Sequence, residues 1–126
     1  MEPLRIMETA TVLLLIAALG GVVMAVIRFS GRPYPATWLA MLHGFLAGAA
    51  VTLLLYAWAT VGLPSLAILA TVLFVAAALG GVAMNLGYHW KQLALPKWLV
   101  IVHAAVAVLG FLLLLVATLA AMEGAP

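Results

Sequence analysis

Three histidines are the residues in this chain best suited to chemistry. His43 and His103 stand sixty positions apart in matching surroundings, and His89 has no such mate, because position 29 is Phe. Imidazole binds metals and carries protons near neutral pH more readily than any other side chain. The matching surroundings are extensive. Ala10-Thr11-Val12-Leu13 recurs as Ala70-Thr71-Val72-Leu73, and Ala17-Ala18-Leu19-Gly20-Gly21-Val22 recurs as Ala77-Ala78-Leu79-Gly80-Gly81-Val82. Met24 maps to Met84 and Trp38-Leu39 to Trp98-Leu99. An internal duplication is the economical explanation. It creates a pair of imidazoles related by pseudo-symmetry.

The elements that position them follow from composition. The chain is 69% hydrophobic and only 6% charged, whereas a soluble domain is apolar over about half its residues. Uncharged stretches cover 9–27, 33–90 and 98–122. A helix needs about 20 apolar residues to cross a bilayer, so the long middle stretch must hold two spans. Gly62-Leu63-Pro64-Ser65 is the natural break between them. The sequence predicts four transmembrane helices near 9–28, 37–60, 65–87 and 97–121. They form one all-α integral membrane domain over 1–126, an antiparallel four-helix bundle. It is built from two tandem two-helix repeats, 9–60 and 65–121. Strands are excluded by span length, by Ala and Leu content and by the absence of period-two alternation.

Arg28 and Arg32 flank the first connection, and Lys91 and Lys97 flank the third. The positive-inside rule puts the loops 29–36 and 88–97 in the cytoplasm and both termini outside, as in a bacterial-type inner membrane. The net charge of +2 is then a topology signal, and nucleic acid is not expected as a partner. Met1 to Glu8 carries two acids and one base, the wrong charge for a signal peptide, so the first span is expected to be structural. Cysteine is absent, which excludes thiolate ligands, iron–sulfur clusters and disulfides.

His43 and His103 each fall about six residues inside a span, about 9 Å deep at 1.5 Å per residue. Spans two and four run parallel and sit diagonally across a four-helix core, so both rings can point at the axis from opposite sides. Such a pair suits the two axial positions of a haem iron. Gly20, Gly21, Gly80 and Gly81 lie at similar depth on the other two helices, where small residues allow close approach of a macrocycle. Ala47 and Ala107 lie one turn deeper on the histidine faces, followed by Ala50 and Gly110. Met24 and Met84 are placed to pack at the haem edge. Arg28, Arg32, Lys91 and Lys97 lie just outside, where propionates want cations.

In this arrangement the chain resembles the four-helix core of membrane b-type cytochromes, in which the second and fourth helices supply paired histidines and glycines on the first and third accommodate the haem. The resemblance implies His43 and His103 as iron ligands, with the two Gly-Gly pairs as packing residues. It rests on the arrangement of His and Gly. The two-haem members carry a second histidine two heptads along each ligating helix; here positions 57 and 117 are both alanine. One haem b per chain is therefore expected, near the cytoplasmic face.

The expected role is a small cytochrome or haem-carrying subunit that passes electrons between a quinone or membrane complex and a partner, without catalysis of its own. Other electron-transfer subunits or further copies of the chain are the expected protein partners, within the lipid bilayer. A cofactor-free structural subunit of a respiratory or photosynthetic assembly is the alternative. A small proton-coupled transporter fits poorly, since it needs a carboxylate at depth and Glu8 lies at the membrane boundary, unmatched in the repeat. Gly44 and Gly48 read as a helix-packing pair. His89, in Tyr88-His89-Trp90-Lys91, is expected to be a solvated interfacial residue.

Overall fold

The structure is a computed structural model and describes residues 2–124. Four long helices account for most of them: α1 Pro3–Phe29, α2 Thr37–Thr60, α3 Ser65–Met84 and α4 Lys97–Glu123. A single π-helical turn, Asn85–His89, extends α3. All four are long and apolar enough to cross a membrane. In a hydrocarbon solvent each backbone amide must be paired within the protein, and a helix does this alone. Proline marks the starts: Pro3 opens α1, and Pro64 and Pro96 directly precede α3 and α4. Gly31 (φ +109°) and Gly62 (φ +81°) end α1 and α2 in the left-handed region, which side chains rarely adopt.

Each helix packs along its two neighbours in a ring. The seams α1–α2 and α3–α4 within the repeats are more extensive than α1–α4 and α2–α3 between them. α2 and α4 therefore lie across the diagonal.

The repeat is visible in which residues are buried. Met7 and Ala67, Ala10 and Ala70, Leu14 and Phe74, Ala17 and Ala77 occupy equivalent buried places on α1 and α3. Ala50 and Gly110, Leu54 and Leu114, Ala57 and Ala117 do so on α2 and α4. Two of these pairs differ in a coordinated way. A Cβ at Gly110 would stand 3.3 Å from Phe74 Cε1. The larger ring in the second repeat thus fills the space left where Ala50 has lost its methyl group. At these two places the gain in one side chain offsets the loss in the other, as close packing demands.

These positions all lie in one half of the bundle, towards the termini. Beyond Ala17 on α1, before Ala50 on α2, before Gly110 on α4 and between Ala77 and His89 on α3, no helical residue is fully buried. The histidines lie in this looser half. Large apolar side chains such as Leu19, Val22, Phe45, Leu79 and Val108 cover the outside, as a lipid-facing surface requires.

Helix limits depart from expectation in two places. α1 begins at Pro3 because Glu2, Arg5 and Glu8 end the apolar stretch without ending the helix; Arg5 pairs with Glu8 one turn on, at 3.7 Å. α3 gives way to the π turn at Asn85, within the span expected to end at 87, closed by Trp90 N–H donating to the Asn85 carbonyl at 2.7 Å.

Leu54 and Leu114 are fully buried, so replacing either by Ala should cost about 2–4 kcal/mol. The same change at the half-exposed Leu55 or Leu115 should cost much less. Unfolding of the detergent-solubilised variants measures the difference.

Candidate functional site: two carbonyl-anchored histidines

His43 and His103 enter the site from the sixth residue after the start of α2 and α4. Each ring turns towards the partner helix of its own repeat. His43 Nδ1 lies 2.8 Å from the carbonyl oxygen of Ala17, and His103 Nδ1 lies 3.0 Å from that of Ala77. The two acceptors are again sixty positions apart. A carbonyl cannot donate, so Nδ1 carries the proton in both rings. Nε2 is left with its lone pair available in both, the form in which imidazole binds a metal.

The glycines explain how the rings get so close. In an α-helix the Ala17 carbonyl already accepts the N–H of residue 21, and its second lone pair remains for another donor. A side chain at 21 would stand over that lone pair. A Cβ on Gly21 would lie 3.3 Å from His43 Cε1, and one on Gly81 would lie 3.4 Å from His103 Cε1. Gly20 and Gly80 are one step further off, at 4.0 and 3.8 Å from the nearest histidine atom. The Gly-Gly pairs thus sit beside the imidazoles themselves. Gly44 and Gly48, by contrast, face open space, with nothing within 4 Å of an added Cβ.

The ring centres of His43 and His103 are 6.2 Å apart, with planes inclined at 65°. With a metal–imidazole bond of about 2.0 Å, two collinear imidazoles on one ion place their ring centres about 6.3 Å apart. Among the described residues no group of three or more His, Cys, Asp or Glu side chains comes together. A metal held here gains two protein ligands, against four in structural zinc sites.

Around the pair, Met24, Met84, Ala47 and Ala107 are half-buried. The cations are not equivalent. Arg28 donates from Nε to the Leu95 carbonyl at 2.7 Å and reaches the Arg32 carbonyl at 3.3 Å, so it ties the two basic loops together. Lys97 lies over the Phe29 ring, 5.5 Å from its centre. Arg32 and Lys91 are exposed.

His89 corrects the expectation of a solvated residue. It is 4% exposed, stacked on Tyr34 with ring centres 5.3 Å apart. Its Nε2 lies 3.4 Å from Thr37 Oγ1. Tyr34 donates its hydroxyl to Gln92 Oε1, and Gln92 Nε2 donates back to the His89 carbonyl at 3.2 Å. This network joins the two loops and lies outside the His43–His103 pair. Ala17 and Ala77, whose carbonyls anchor the rings, were not singled out in the sequence. The available signal was their spacing: each stands four residues before the second glycine of its pair.

No protein-family model, curated protein or solved structure matches this chain.

Gly21→Leu and Gly81→Leu should each push a histidine off its carbonyl, at about 1–3 kcal/mol for overpacking. Gly48→Leu should leave both bonds intact. Side-chain 15N resonances of the histidines report this directly: only the first two variants should lose the Nδ1-protonated signature of their own ring.

Proposed function

We propose that this chain is a small membrane-bound b-type cytochrome, or the haem-carrying subunit of a larger assembly, passing electrons between a quinone or membrane complex and a partner. The observation that supports this best is the pair itself. Two imidazoles on diagonal helices, each Nδ1 committed to a backbone carbonyl and each Nε2 available, stand at the separation two axial ligands of one iron require.

Haem supplies one-electron chemistry, and its potential responds to axial ligands, burial and nearby hydrogen bonds. The protein's part is to hold and tune. The Ala17 and Ala77 carbonyls fix the tautomer and ring direction. Between the close-packed core and His89 no helical residue of the bundle is fully buried. Arg32, Lys91 and Lys97 are exposed cations at that end of the bundle, suited to carboxylates directed towards it. The basic loops support an orientation with 29–36 and 88–97 in the cytoplasm of a bacterial-type inner membrane and both termini outside.

Protein purified in mild detergent should show a six-coordinate, low-spin b-type spectrum with about one haem per chain, since two nitrogens saturate one iron. His43→Ala and His103→Ala should each leave the iron five-coordinate or absent. His89→Ala should retain the low-spin spectrum, although loss of its stacking on Tyr34 should lower stability. Colourless protein after haem supplementation would leave the cofactor-free subunit as the better account.

A reporter fused after Pro126 should be active only if it works outside the cytoplasm. Activity of a cytoplasm-dependent reporter there would reverse the orientation.

A further inference from the structure

Because the two repeats share one plan, each is an internal control for the other, and beside the histidines they differ. A groove of about 230 Å³ lies against His103 in the α3–α4 seam, lined by Ala76, Ala77, Gly80, Leu99, Val102 and Val106. At the equivalent places around His43 stand Ile16, Ala17, Gly20, Leu39, Leu42 and Leu46. Three positions are unchanged. The other three all become smaller in the second repeat: Ile to Ala, Leu to Val and Leu to Val, together five side-chain carbons fewer. The groove is almost wholly apolar, and Ala76 and Val102 at its mouth face the lipid side.

A volume of this kind is not a haem site; it is smaller than the roughly 300–1,000 Å³ of pockets for drug-sized ligands. It does exceed what a five-membered ring requires, since a water takes about 30 Å³. Among the described residues the His103 ring hydrogen-bonds to the Ala77 carbonyl alone, and Ala77 lines the groove. A turn of the ring about its side-chain bonds moves it into apolar space. At His43 the corresponding positions carry the bulkier Ile16, Leu42 and Leu46.

We propose that His103 is the exchangeable member of the pair: its ring swings into the α3–α4 groove and opens one axial position to a small, neutral, lipid-soluble ligand of the carbon monoxide or nitric oxide class. His43 stays in place. The inference rests on the haem reading above. Were haem held by the pair, the iron–Nε2 bond of His103 would break as a bond from iron to the incoming ligand formed. The iron stays ferrous and no electron is transferred. Such a ligand reaches the groove by partitioning into the bilayer, so no aqueous channel is needed.

The test has two arms. In the first, full-length protein without haem is treated with diethyl pyrocarbonate, which acylates neutral imidazole, and each histidine is followed by mass spectrometry. His103 should be modified faster than His43. Restoring the first repeat's residues with A76I, V102L and V106L should reduce the His103 rate about fivefold or more, the low end of what extra methylenes in packed space cost. Should that variant fail to fold, I16A, L42V and L46V should instead raise the His43 rate. Equal rates for the two histidines, or a difference that neither set of substitutions alters, would overturn the proposal.

In the second arm, dithionite-reduced, haem-loaded protein is mixed with carbon monoxide. It should bind, and more slowly in the A76I, V102L and V106L variant. Failure to bind while the modification difference persists would overturn the exchange itself. Protein that takes up no haem would overturn the cytochrome reading, recognisable from the absorption spectrum alone; the asymmetry of His103 is then decided by the first arm.

Discussion

The site depends on one hydrogen bond made twice, from a histidine Nδ1 to a backbone carbonyl on the neighbouring helix. Within a membrane an imidazole has few places to send its proton, and an unsatisfied one is costly in hydrocarbon. A helix carbonyl with a spare lone pair meets that need, provided nothing stands over it. The glycine four residues on supplies the clearance. The bond then decides three things together: which nitrogen is protonated, which is available, and where the available one points.

That geometry is maintained by a bundle with unequal halves. Towards the termini the interior is close-packed by the same positions in both repeats, with Leu54 and Leu114 at its centre and the Phe74–Gly110 exchange offsetting gain against loss. Thr11 and Thr118 add a hydroxyl contact of 3.2 Å across the α1–α4 seam. At the opposite end the loops are stitched by Arg28, Tyr34, His89, Gln92 and the Leu95 N–H to Pro33 carbonyl bond. The histidines lie between these two fastened regions, where packing is loosest.

Much of this was legible in the sequence because it is local. Four spans follow from the length of uncharged stretches, and the repeat from identities at Gly-Gly, Met, Trp and His. The depth of His43 and His103 follows from counting residues from the span starts, and both helices begin where expected. Azimuth is harder to read. Depth put the glycines level with the histidines but not which atoms they make room for; that depends on how α1 rotates against α2. The misreading of His89 has a similar cause. Its covering ring, Tyr34, comes from the other repeat, and the π turn that delivers it has no equivalent in α1, which remains α-helical to Phe29. Pseudo-symmetry predicts the positions that match; it says little where the repeats part.

The most direct test of the central claim is pulsed electron paramagnetic resonance on oxidised, haem-loaded protein whose histidines carry 15N. Two imidazole nitrogens coupled to one low-spin iron, with one coupling lost in His43→Ala and one in His103→Ala, is the outcome this account predicts. Coupling to a single histidine, or to a pair that includes His89, would contradict it.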